Sequence, residues 1–145
     1  MAIDKSVDAR RGESAADLAE YLKDFEAGGY LVGSVVEAVC AGCKGRVFRL
    51  RTDVDEGCAE RICVACDKTV LMLDSEDYWD DAEPEAVLCA CGADQFEVSV
   101  GFSLRATGDV RWISIGTRCA ADGRLGCCAD WKIDYGPSAD LLERV

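Results

Sequence analysis

Cysteines come in short-spaced pairs along this chain of 145 residues, and that spacing limits its fold more than any other feature. The first two pairs are Cys40-Ala-Gly-Cys43 and Cys63-Val-Ala-Cys66. The third is Cys89-Ala-Cys91, one residue shorter, and the fourth position reads Cys119-Ala-Ala-Asp122, with Cys127 and Cys128 just beyond. The chain has no histidine. A CxxC turn brings two sulfurs to one side of an ion, and a second CxxC completes a tetrahedron around it. Residues 44–62 separate the first two pairs, which leaves room for two short strands and a turn. That spacing is the spacing of a four-cysteine zinc site.

Ten cysteines could instead pair as disulfides in a secreted chain. The N-terminal residues lack the apolar stretch of a secretory signal, so a cytoplasmic location and metal-bound thiols are expected. Two zinc ions are expected. Cys40, Cys43, Cys63 and Cys66 form the first set. Cys89, Cys91 and Cys119 supply three ligands of a second, and one of Asp122, Cys127 and Cys128 is expected to complete it. Strand alternation with Trp131 and Ile133 places Cys127 on their face and Cys128 on the other. Cys58 is left over and is expected to be a small buried hydrophobe. Sulfur ligands alone leave iron as the second choice of metal.

The pattern along the chain is α+β and mostly β. Residues 1–29 read as a polar tail and an amphipathic helix, opened by Ser14 with Asp17 as a short capping box and closed by Gly28-Gly29. Leu18, Tyr21, Leu22 and Phe25 form its apolar stripe, expected to pack on the rest of the fold. Residues 30–82 and 83–145 then follow one plan of knuckle, strand, turn, strand, knuckle, strand, a repeat of about 50 residues. Glu37-Ala38-Val39-Cys40 is echoed by Glu85-Ala86-Val87-Leu88-Cys89. Between the halves, residues 74–85 carry seven acids in twelve positions, interrupted by Tyr78 and Trp79, which are expected to lie back on a core. Pro137-Ser138 opens a short C-terminal helix.

On these knuckles the chain resembles the zinc-ribbon family, the rubredoxin-like class of metal-stapled β units, over residues 35–136 as two consecutive ribbons. The resemblance implies a three-stranded sheet crowned by two knuckles in each half. Family knuckles often read C-P-x-C-G. Cys91-Gly92 and Asp122-Gly123 keep the glycine, whereas Cys43-Lys44 and Cys66-Asp67 do not.

The formal charge is −12, and each four-thiolate zinc site would add about −2. Such a surface repels phosphate backbones, although Lys44, Arg46, Arg49 and Arg51 form a local basic cluster. Without histidine no Ser-His-Asp triad or H-x-E deaminase element exists, and no phosphate-binding G-x-x-x-x-G-K-[ST] loop is present. The expectation is therefore a non-catalytic, acidic zinc-binding protein acting through protein–protein contact, as an adaptor or an inhibitor or immunity-type protein with a basic partner. A nucleic-acid-associated ribbon factor and a thiol-redox or iron electron-transfer protein are the alternatives. No membrane-spanning run is present.

Overall fold

Alternating apolar residues build two antiparallel meanders. The computed structural model describes residues 11–25 and 29–145; the expected tail over 1–10 and the helix stop at Gly28 lie outside them. In the first half, β2 (Phe48–Asp53), β3 (Cys58–Cys63) and β4 (Thr69–Leu71) run as a meander, and in the second, β6 (Phe96–Leu104), β7 (Val110–Cys119) and β8 (Leu125–Lys132) do the same. Two short strands, β1 (Ser34–Glu37) and β5 (Glu85–Ala86), precede the first knuckle of each half.

All eight strands belong to one open sheet with the order β4-β3-β2-β6-β7-β8. The halves meet through their first long strands, where Phe48 pairs with Phe96. Each half also lends its leading strand to the other. β1 pairs with β6 from Ser34↔Phe102 to Glu37↔Ser99, and β5 pairs with β2 at Arg51↔Ala86 and Thr52↔Glu85. The Ala38 N–H donates to the Val98 carbonyl at 2.9 Å, and the Val87 N–H donates to the Leu50 carbonyl at 2.9 Å. Val98 and Leu50 lie two residues after Phe96 and Phe48. Phe48 also faces Cys63, as Phe96 faces Cys119. The repeated sequence thus folds about a local two-fold axis at the Phe48–Phe96 pair, and the two units interlock.

One face of the sheet carries the main core. Phe96, Val98, Val100 and Phe102 alternate inward on β6 and meet Phe48, Leu50, Ile113 and Ile115, all at most 3% exposed. The other face of the second meander is lined with small residues, Ser99, Gly101, Ser114 and Gly116, and α1 (Ala15–Phe25) lies across it. Leu18 and Leu22 are fully buried there. Each gains about 1.5–3 kcal/mol from leaving water. The glycines permit this approach, because a Cβ on Gly116 would lie 2.8 Å from Leu22 Cδ1 and Cδ2. Phe25 departs from the expected stripe. It is 43% exposed and stacks on Tyr21 instead of entering the core. Asp17 accepts the Glu13 N–H at 2.8 Å, so the cap closes one residue earlier than a standard box.

The acidic connector is structured. Its first turn is tied down by Ser75, whose Oγ accepts the buried Ala59 N–H. Asp74 is buried and accepts from Trp131 Nε1 and Tyr135 Oη. The expected core packing of Tyr78 and Trp79 is not realised: Tyr78 is 39% exposed, and Trp79 is half-buried under the Arg51 guanidinium. The six acids after Asp74 are all exposed and keep this stretch on the surface, where a cation covers the Trp79 ring. The C-terminal helix is a 3-10 segment, Ala139–Glu143, with Leu141 in the core.

Candidate metal centres

Each knuckle is a backbone turn wrapped around its first ligand. In the first, the Cys40 carbonyl accepts the Lys44 N–H and the Cys40 N–H donates to the Gly45 carbonyl. The same pair of bonds recurs from Cys63 to Asp67 and Lys68, and from Cys119 to Gly123 and Arg124. At Cys89 both bonds fall one residue earlier, to Gly92 and Ala93. The CxC pair is therefore the same turn with one residue removed. The residue after each second ligand has positive φ: Lys44 (67°), Asp67 (64°), Gly92 (91°) and Gly123 (76°).

These turns bring Cys40, Cys43, Cys63 and Cys66 into one group whose sulfurs all lie within 4.8 Å of one another. Cys40 and Cys66 are 3.6 Å apart, and Cys43 and Cys63 are 3.5 Å apart. A tetrahedral ion with metal–sulfur bonds of about 2.3 Å needs sulfurs about 3.8 Å apart, so the donors fit such an ion with little movement. Cys40 and Cys63 are buried, whereas Cys43 and Cys66 are exposed at the rim. The Cys43 and Gly42 N–H groups draw Cys40 down to about 6. At Cys43 the Gly45 N–H also favours the thiolate, but the Cys63 and Cys66 sulfurs outweigh it and push the thiol up to about 12. Four thiolates repel one another, and a divalent cation at their centre is what allows all four to ionise together.

The second group is Cys89, Cys91, Cys119 and Asp122, again within 4.8 Å. Cys91 and Cys119 are 3.6 Å apart, and Cys89 Sγ lies 3.8 and 3.9 Å from the two Asp122 oxygens. Burial works to raise Asp122, but the Arg124 N–H, the Cys119 thiol and the Arg124 guanidinium together hold it below the ordinary carboxylate value. It also stands 3.9 Å from Arg11 and 3.8 Å from Arg124. Residues 11 and 12, expected as loose tail, strap this knuckle: Gly12 N–H donates to the Gly123 carbonyl, and Arg118 Nε donates to the Gly12 carbonyl at 2.7 Å.

Cys127 and Cys128 stand outside this group among the described residues. A β-bulge explains their placement. Ile115 pairs with Ala129 and Gly116 with Cys127, so Cys128 is the extra residue and the alternation breaks there. Cys127 thus shares the face of Gly116, under α1, and Cys128 packs on the main core, the reverse of the expected faces. Burial pushes both thiols up to about 12. The Cys127 thiol donates to the Ala129 carbonyl at 3.4 Å. Cys58 is fully buried in the core, and desolvation raises its pKa.

Two features were not foreseen from the sequence. An open cavity of about 840 Å³ runs beside the second centre, reaching Cys89, Cys127 and Cys128. Six carboxylates line it, from Asp53, Asp55, Glu56, Asp81, Glu83 and Glu85, against one cation, Arg124. Asp53 fixes its rim by accepting the N–H groups of Glu83, Asp55 and Glu56. The other feature is Arg61, buried at an inward position of β3. Its signal was a charge at the same strand parity as Ala59 and Cys63. The three arginines of the basic cluster noted above are paired: Arg46 meets Glu37 at 3.3 Å, Arg49 meets Asp94 at 3.7 Å and Arg51 meets Glu60 at 3.4 Å.

The two clusters fit tandem zinc-ribbon-like units and can each hold a metal ion. Comparison of the chain with protein-family models, with curated proteins and with solved structures finds no match. Among the described residues no helix is long and apolar enough to cross a membrane.

Proposed function

We propose that this chain is a non-catalytic, zinc-stapled adaptor or inhibitor that receives a basic segment of a partner protein in its acidic groove. The observation that carries this reading is the groove itself, whose lining among the described residues holds six acidic residues and one arginine. The overall charge of −12 supports it by attracting a cationic partner and speeding encounter. The metals act as staples. Four sulfur donors leave the first centre no open coordination position, which is the arrangement of a structural site. Zinc suits three thiolates and a carboxylate as well as four thiolates. The pairing of Arg46, Arg49 and Arg51 with carboxylates leaves little free positive surface there for a phosphate backbone. A reducing compartment such as the cytoplasm is where thiolate centres persist.

The test is fluorescence anisotropy with an arginine-rich peptide at physiological salt. Exchange of Glu56→Gln, Asp81→Asn and Glu85→Gln together is expected to weaken binding about tenfold, from three screened charges of roughly 0.5 kcal/mol each. Equal affinity of this variant and the wild type, or tighter binding of an RNA duplex than of the peptide, contradicts the proposal.

A further inference from the structure

Arg61 is 5% exposed, and its Nε and Nη1 have no hydrogen-bond partner among the described residues. Nη2 donates to the Val145 oxygen at 2.9 Å. A buried cation left two-thirds unpartnered is costly unless an opposite charge stands close by. The direction of the side chain identifies that charge. Arg61 sits two residues before Cys63 on β3, so both point to the same face of the sheet. Its own cross-strand neighbour is Leu50, yet its guanidinium lies 4.8 Å from the ring of Phe48, the residue opposite Cys63. The side chain therefore leans toward the cysteine end of the strand. Burial pulls the Arg61 pKa down, and Cys40 and Cys63, the two buried sulfurs of the first group, work against that loss.

We propose that Arg61 is the buried counter-ion of the all-cysteine centre, offsetting part of the negative charge that four thiolates and one divalent ion place inside the core. This rests on the reading of that group as a metal site. The local two-fold axis sharpens the assignment. Thr117 faces Val98 as Arg61 faces Leu50, so the second centre has a neutral residue at the equivalent position. That centre carries its cations elsewhere, in Arg11 and Arg124 around Asp122. Arg61 is thus a device of the first centre alone, and it holds the metal by charge without being a ligand.

The experiment is a zinc competition titration of the full chain with a chromophoric chelator at fixed pH, followed by site-resolved thiol alkylation. Protection of Cys43 and Cys66 reports the first centre, and protection of Cys91 reports the second. Arg61→Met keeps the stem over Phe48 and removes the charge. It is expected to weaken zinc retention at Cys43 and Cys66 by about 10–100-fold, as loss of an outer-sphere partner does, and to leave Cys91 unchanged. Arg61→Lys, which keeps the charge, is expected to recover most of the loss. Should Arg61→Met not fold, Arg61→Gln replaces it with the same two outcomes. Retention equal to wild type in the neutral variant, or equal losses at both centres, overturns the role of Arg61. A wild-type chain that protects none of these cysteines with zinc overturns the metal reading and the counter-ion with it.

Discussion

Lys44 and Asp67 occupy the place in the knuckle where backbone geometry favours glycine. Both sit at φ near +65°, where a side chain costs about 1 kcal/mol. The equivalent positions in the second half, Gly92 and Gly123, avoid that cost. Lys44→Gly is therefore expected to stabilise the metal-loaded protein by up to about 1 kcal/mol, seen as a rise in thermal midpoint; a fall would mean that the Lys44 side chain supplies a contact of its own. The fourth ligand of the second centre is open to an equally direct test. Asp122→Ala is expected to cut retained metal from two ions to one under mild chelation, whereas Cys127→Ser and Cys128→Ser each leave two. Loss of an ion in either serine variant would move the ligand assignment to that cysteine.

Asp74 carries a pH dependence of defined sign. Burial raises its pKa above 3.8, against the hydrogen bonds from Tyr135 and Trp131. Its contribution is full below 3.8 and is lost as pH rises through the higher folded value, because the unfolded chain ionises first. The stability of Asp74→Asn relative to wild type is expected to climb across that window and then level off, in paired denaturant titrations. A relative stability that falls with rising pH would show that the carboxylate form is the favoured one.

At the scale of elements, α1 and the sheet beneath it are matched by what the sheet lacks. Leu22 seats over Gly116, and any Cβ there would collide with it. Gly116→Ala is expected to cost about 1–3 kcal/mol by overpacking. Combining it with Leu22→Ala should give a penalty smaller than the sum of the two single changes. Additive penalties would place the helix elsewhere. The helix itself was legible from the spacing of Leu18 and Leu22, but its narrower stripe was not, because periodicity cannot show that Phe25 stays exposed and stacks on Tyr21. The long strands were legible from alternation in Phe96–Leu104. The bulge at Cys128 was not, since one extra residue in a ladder leaves no mark in a Gly-Cys-Cys sequence. That bulge decides which face Cys127 takes.

For the whole molecule, the cysteine spacing and the Glu-Ala-Val echo revealed the repeat, and local turns are what short spacings encode. The exchange of β1 and β5 between the halves was beyond them, because it depends on pairings between segments about 65 and 35 residues apart. The result resembles a two-fold dimer joined into one chain, with Phe48 and Phe96 on the axis. Strands shared in this way couple the halves, so the metal-loaded chain is expected to unfold in a single transition. Far-ultraviolet circular dichroism and tryptophan fluorescence should give coincident denaturant curves. Two separated transitions would indicate independently folding units.

The stapled knuckles and the counter-ion role of Arg61 both depend on the two clusters holding metal. Native mass spectrometry of protein purified without added chelator, with elemental analysis of the same sample, measures that directly. Two zinc ions per chain are predicted, with Cys40, Cys43, Cys63, Cys66, Cys89, Cys91 and Cys119 protected from alkylation until chelation. One ion would remove the second centre. A folded chain with no metal and reactive thiols at Cys43, Cys66 and Cys91 would contradict the account.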